Sequence, residues 1–172
     1  MTTPSLRIEV LESGLVLPSR AHAYDAGFDV RAARVLRAAD ADALTDDERA
    51  RRAAETPDQP LVIAPGRREV ANLGFRAALP PGIVADVRSR SGLAARDGVI
   101  VLNSPGTIDA GYRGEVKVIL TVLGPDPVEI ARGDRIAQVI VQRVELPDVV
   151  AVETLPDAGD DRGVGGFGST GN

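Results

Sequence analysis

Apolar and polar residues alternate along much of the chain in short runs that end at glycine or proline. The runs are rich in valine, isoleucine and leucine, which favour strands, and turns such as Pro80-Pro81-Gly82 separate them. The predicted strands are Leu6–Leu11, Phe28–Ala32, Leu61–Ile63, Arg68–Phe75, Ile83–Val87, Val99–Leu102, Val116–Val122, Val128–Ile130 and Arg135–Val144. Many short strands with such turns predict an all-β sandwich, jelly roll or barrel.

The stretch 38–56 departs from this pattern because it is rich in alanine and charge. Thr45 followed by Glu48 forms a capping-box pattern, which predicts a short surface helix beginning near Asp46. The composition of this insertion, about residues 37–60, favours a solvated surface segment. A regulatory or partner-binding element is the alternative.

The chain after Leu146 differs again, since it carries prolines, then a run of acidic residues, and ends in a glycine-rich stretch. Such a segment cannot bury a core of its own and is expected to be mobile. We therefore predict one β domain, residues 1–146, that includes the insertion, followed by a flexible C-terminal arm, residues 147–172.

Composition narrows the class of protein. The 172 residues fit one domain, and with only 3% aromatics the core must consist of valine, isoleucine, leucine and alanine. The lack of cysteine excludes disulfides and thiolate sites and fits a reducing cytoplasm. The net charge of −5 argues against general nucleic-acid binding. No apolar run approaches the roughly 20 residues of a membrane span. We expect a cytoplasmic protein that binds neither nucleic acid nor membrane.

Segment 103–115 carries candidate catalytic and base-binding groups. Asp109, before a glycine in a predicted hairpin, could take a proton from water as a general base, or it could serve the turn alone. Asn103 could present its amide to the edge of a base, or it could cap the turn. Tyr112 could stack on a ligand or fill the core.

Other segments carry groups that could bind phosphate. Segment 88–98 begins with two arginines, two serines and a glycine, which suit phosphate oxygens but also an ordinary helix start. Gln138 is a possible phosphate contact, and Asp29 could hold a hydrated Mg²⁺. In the tail, glycine N–H groups could converge on an anion beside the hydroxyls of Ser169 and Thr170. The tail lacks the lysine of a P-loop.

Taken in order, five segments resemble the five motifs of the trimeric dUTPase family. They are AGFDVRA at 26–32, RSGLA at 90–94, NSPGTIDAGYRGE at 103–115, RGDRIAQ at 132–138 and RGVGGFGSTG at 162–171. The resemblance covers roughly residues 1–36 and 61–172. It implies a jelly-roll-like β-barrel and a homotrimer with active sites shared between subunits. It also implies Mg²⁺-dependent hydrolysis of dUTP to dUMP and pyrophosphate. Ser89 stands where many members have proline, which is expected to loosen the turn.

The resemblance implies roles for individual residues. Asp109 would activate the water that attacks the α-phosphorus, Arg162 would stabilise the developing charge, and Asp29 would support Mg²⁺ through water. The implied phosphate contacts are Arg90, Ser91, Gly92 and Gln138. Asn103 and the hairpin backbone at Thr107 and Ile108 would bind uracil, and Tyr112 would contact deoxyribose. In a tail that closes over the substrate, Phe167 would stack on uracil beside Gly168, Ser169 and Thr170.

Two alternatives are weighed against this interpretation. The related dCTP deaminases have the same fold but carry a catalytic glutamate at the position of Ile119, and no carboxylate occurs between Val116 and Val122. A non-catalytic, nucleotide-binding regulator would be favoured by loss of Asp109 or of the tail motif, and both are present. The role of the insertion stays open.

Overall fold

The computed structural model describes residues 6–36, 60–156 and residue 159. The predicted helix near Asp46 and the glycine-rich motif of the tail lie outside these residues. Within them the elements are β1 (Arg7–Val10), β2 (Gly27–Arg31), β3 (Arg34–Leu36), β4 (Leu61–Ile63), β5 (Arg68–Ala78), β6 (Ile83–Arg88), α1 (Ser91–Asp97), β7 (Val99–Val101), β8 (Gly106–Ile108), β9 (Glu115–Val122), β10 (Val128–Ile130) and β11 (Arg135–Arg143).

The described strands form three antiparallel sheets, and the all-β prediction is confirmed. One sheet has the order β1-β5-β9-β7 with β3 also paired to β5, and β10 pairs with β4. The third, four-stranded sheet has the order β2-β11-β6-β8. None of the helices that the described ranges contain has the length and apolar character to cross a membrane.

The core is almost wholly aliphatic, as the low aromatic content predicts; among the described residues Phe75 is its one buried aromatic side chain. Strand β9 alternates from Glu115 to Leu120, so Val116, Val118 and Leu120 are buried on one face. Ile63 and Leu73 are also fully buried. This packing fixes the registers of the strands, because a shift by one residue would turn the apolar side chains outward.

The four-stranded sheet positions the candidate site. Across it Asp29 pairs with Gln138 and Gln138 with Arg88, while Asp86 pairs with Thr107 of β8. Neighbouring positions such as Val30 and Val139 are buried. One face of this sheet therefore packs on the core, and the other carries a row of polar side chains.

Strand β11 contains a bulge near its start. Ala137 pairs with Val30, but Arg135 pairs with Arg31, so Ile136 is one extra residue on β11. Ile136 is buried, whereas Arg135 is exposed.

Candidate active site

A carboxylate between two arginines lies at one end of the four-stranded sheet. Asp29 Oδ1 accepts a hydrogen bond from Arg90 Nε at 2.9 Å, and Asp29 Oδ2 accepts one from Arg135 Nη1 at 3.1 Å. Arg90 Nη1 also donates to the main-chain oxygen of Arg135 at 3.1 Å. The Asp29 side chain is only 18% exposed. Two guanidinium groups around one carboxylate leave an excess positive charge, which suits a polyphosphate.

Helix α1 begins directly beside this group. Arg90 is its N-cap residue, with an extended backbone and no hydrogen bond from its side chain to the helix start. Ser91 is exposed, and a Cβ placed on Gly92 would meet nothing within 4 Å. The predicted phosphate contacts Arg90, Ser91 and Gly92 therefore border open space next to Asp29 and its two arginines.

Gln138 ties strand β11 to the turn before α1. Its Nε2 donates to the main-chain oxygen of Ser89 at 2.9 Å, and a Cβ on Gly27 would collide with Gln138 Oε1. The Ser89 hydroxyl accepts from the N–H of Val101 at 2.9 Å. Ser89, expected to loosen this turn, is thus restrained by two hydrogen bonds. The Gln138 amide has a second N–H that can meet a phosphate oxygen. We call Asp29, Arg90, Arg135 and Gln138 the arginine end.

The segment from Asn103 to Tyr112, the hairpin end, is shaped mainly by its backbone. The N–H of Tyr112 donates to the main-chain oxygen of Asp109 at 3.0 Å, and the side chain of Asp109 is exposed. Arg113 Nη1 donates to the main-chain oxygens of Ala110 and Tyr112, both at 2.7 Å. These bonds fix the turn that carries Asp109.

The structure also locates the other residues of the hairpin end that were predicted to contact the substrate. Asn103 and Thr107 are exposed, while Ile108 is buried. The Tyr112 ring is 42% exposed, and its hydroxyl donates to the main-chain oxygen of Glu115 at 2.9 Å. Tyr112 thus presents ring surface to the outside and does not fill the core.

Within one chain Asp109 lies apart from the arginine end, although Gly106 of the hairpin end pairs with Val87 beside it. Ile108, the residue before Asp109, pairs with Ala85 of β6, whereas Gln138 of the arginine end pairs with Arg88. Three residues of a strand span about 10 Å, and Arg90 lies further on. The structure therefore brings together Asp29, Arg90 and Gln138 but does not place Asp109 beside them.

Two residues of the site were missed by sequence reasoning, and five predicted ones lie outside the described residues. The missed residues are Arg135 and Arg113. For Arg135 a signal exists, because the adjacent apolar pair Ile136-Ala137 interrupts strict alternation and marks the bulge. The residues outside the described ranges are Arg162, Phe167, Gly168, Ser169 and Thr170.

Comparison with known proteins gives one consistent result. The family model described as dUTPase matches residues 57–171. A deoxyuridine 5'-triphosphate nucleotidohydrolase from Mycobacterium sp. (strain JLS) is 46% identical over 171 residues, which cover 97% of this chain and 95% of that protein.

Solved structures agree with this fold. A Staphylococcus bacteriophage 80alpha dUTPase with dUpNHpp is similar at a TM-score of 0.73 and 21% identity, covering 99% of this chain and 100% of that chain. A dUTPase from phage phi11 of S. aureus, described with a coordinated structural Mg(II) ion, has a TM-score of 0.69 and 20% identity and covers 89% of this chain and 99% of that one.

Proposed function

The chain belongs to the dUTPase family, and we propose that it hydrolyses dUTP to dUMP and pyrophosphate. The observation that carries this proposal is the arginine end, where Arg90 and Arg135 flank Asp29 beside the open start of α1. Such a concentration of fixed positive charge suits a triphosphate, and phosphoryl transfer depends mainly on positioning and charge neutralisation. Turnover of dUTP would limit its use in DNA synthesis and supply dUMP.

Asp109 would act as the general base. Its carboxylate is exposed on a turn that two arginine-to-carbonyl bonds and one backbone bond hold in shape. It would take a proton from the attacking water. The water oxygen would form a bond to the α-phosphorus while the bond from that phosphorus to the bridging oxygen breaks, and pyrophosphate would leave with the electron pair.

The remaining side chains would bind and select the substrate. Arg90, Ser91, Gly92 and Gln138 would contact the phosphates. Asn103 and the backbone at Thr107 and Ile108 would hydrogen-bond uracil, and Tyr112 would pack on deoxyribose. In the tail, Phe167 would stack on uracil, while Arg162, Gly168, Ser169 and Thr170 would meet the phosphates when the tail closes.

The separation of Asp109 from the arginine end supports the proposal of a homotrimer with sites shared between copies. Because Asp109 and Arg90 lie toward opposite ends of β6, the hairpin of one copy would complete the arginine end of another. The segment after β11 also supports assembly, since its apolar side chains Leu146, Val149 and Leu155 are largely exposed and contact with another copy would cover them.

Mg²⁺ fits this site as an ion that the substrate carries. Within residues 6–36 and 60–156, no three Asp, Glu or His side chains gather as metal ligands. Both Asp29 oxygens accept from arginines, yet each has a second lone pair for a metal-bound water. Mg²⁺ usually keeps several waters and binds substrate phosphates, so Asp29 would hold it through water. When bound, the ion would neutralise charge on the phosphates.

The test is pyrophosphate release by the purified full chain with Mg²⁺, with dUTP, dCTP, dTTP and UTP compared side by side. We expect release from dUTP, far less from the other three, and loss of release on chelation. Equal release from all four would contradict selection of uracil and deoxyribose. No release from dUTP would overturn the proposed activity.

A further inference from the structure

We propose that Arg135 is a positioning residue that acts through Asp29 on the phosphate-binding Arg90, and that the bulge in β11 exists to aim it there. This inference rests on the proposed function, because it assigns a role at the same site. The contacts that carry it are the two carboxylate bonds of Asp29 and the bond from Arg90 to the main chain of Arg135.

The bulge decides which way Arg135 points. Val30 and Ala137 pair and are both buried. With regular pairing, the next residue, Ile136, would face outward, and Arg135 would oppose the buried Ala32 and point into the core. The extra residue reverses this outcome, so Ile136 is buried and Arg135 lies on the outer face with Asp29. Bulges that redirect a side chain are common next to active sites.

Asp29 links the two arginines, because each of its oxygens accepts a hydrogen bond from one of them. Arg90 donates from Nε to Asp29 and from Nη1 to the main-chain oxygen of Arg135. Because the guanidinium group is planar, these two bonds also fix the direction in which its Nη2 group points. The Arg135 side chain is 46% exposed and that of Arg90 25% exposed. Arg135 is thus the outer partner, and it keeps the carboxylate from rotating away from Arg90. Without it, the orientation of Arg90 would rest on fewer bonds.

A second role for Arg135, direct contact with the phosphates, would give a different result in a double-mutant cycle. If Arg135 acts through Asp29, its removal should matter only while Asp29 is present. If it contacts the phosphates itself, the losses from the two substitutions should multiply.

The experiment measures the dissociation constant of dUpNHpp by calorimetry for the full chain in EDTA, so that the water-mediated metal role of Asp29 plays no part. The variants are Arg135→Gln, Asp29→Asn and the double variant. Arg143→Gln is the matched control, because it removes the same charge from an exposed position at the other end of β11. Circular dichroism and size-exclusion chromatography check folding and assembly, and Arg135 is exposed enough that Gln should not disturb the core.

We expect Arg135→Gln to weaken dUpNHpp binding roughly tenfold, the low end for a charged hydrogen bond at a half-exposed site. Arg143→Gln should stay within about twofold, and the double variant should bind no more than about twofold weaker than Asp29→Asn. An Arg135→Gln variant that binds like the wild type would overturn the inference, as would multiplicative losses. If the wild-type chain itself neither binds dUpNHpp nor hydrolyses dUTP, the proposed function fails instead.

Discussion

At the arginine end of the four-stranded sheet, side chains from β2, β11 and the start of α1 hold one another, whereas hydrogen bonds to the backbone shape the hairpin end. The half-buried Asp29 and Gln138 illustrate the first arrangement, and the exposed Asp109 on its turn illustrates the second. The difference suits the proposed chemistry. Binding a triphosphate needs fixed charges, which cross-strand contacts supply, while a general base needs an accessible carboxylate at a defined place.

The largest effect is expected at the hairpin end. Asp109→Asn should lower kcat at least about 10²-fold, the usual contribution of a general base. The affinity for dUpNHpp should stay within about threefold, because the arginine end is untouched. Steady-state kinetics and calorimetry measure the two quantities, with Asp126→Asn in another exposed turn as the control. Near-normal turnover would remove Asp109 from the role of base.

At the arginine end, a substitution is expected to weaken substrate binding more than it lowers kcat. In Gly27→Ala the new methyl group would collide with Gln138 Oε1 and push the amide away from Ser89. We expect kcat/KM for dUTP to fall roughly tenfold, mainly through KM, since a displaced positioning group costs binding of the phosphates. A kcat loss at unchanged KM would contradict this division between the two ends. Gly124→Ala is the control, because Gly124 like Gly27 has no positive φ and its added Cβ would make only ordinary contacts, at 3.5 Å or more.

Ser89→Ala tests the turn that joins β6 to α1. It removes the hydroxyl that accepts from Val101 N–H and leaves that part-buried N–H without its partner. We expect a loss of about 1–2 kcal/mol in the free energy of unfolding, measured by urea denaturation. Ser13→Ala, at an exposed position, should cost less than about 0.5 kcal/mol. Equal stability of the two variants would show that the hydroxyl does not restrain the turn.

The smallest effect concerns Arg113. Arg113→Gln should release the carbonyls of Ala110 and Tyr112 and loosen the turn that carries Asp109. Because Arg113 is exposed, we expect only about a three- to fivefold fall in kcat with KM unchanged. Kinetics with dUTP measure both constants. A rise in KM alone would mean that Arg113 serves binding.

The strand pattern could be predicted from the sequence because most strands are long enough to alternate. The predicted strands reappear with small shifts, as in β9 (Glu115–Val122). Strands β3 and β8 were missed, although β4 and β10, which are equally short, were predicted. The β3 sequence RVL runs directly into the alanine-rich insertion, and the β8 sequence GTI begins with glycine after a proline turn, so neither forms an apolar run between two turns. A helix start after Arg90 was expected whether or not the segment binds phosphate, and the structure has a helix there, Ser91–Asp97. Its contact with phosphates stays a prediction.

The candidate site could be predicted only in part. The resemblance supplied Asp29, Arg90 and Gln138, and the structure places them together. It could not supply the bond from Arg135 to Asp29, because these residues are 106 positions apart and meet only through the register of β11. The roles of Asp109 and of the tail residues stay predictions.

The central place of β11 sets a condition on the order of folding. This strand pairs with both β2 and β6. Strand β6 can pair with β8 beforehand, but β2 is not joined to them until residues 135–143 are available. During synthesis, Asp29 and Arg90 would leave the ribosome long before their shared partner, and contacts of such sequence separation form late. A chain interrupted before Arg135 therefore lacks the contacts that join Arg135 and Gln138 to Asp29 and Ser89. The proposed phosphate site would form only when nearly all of residues 1–146 have been made.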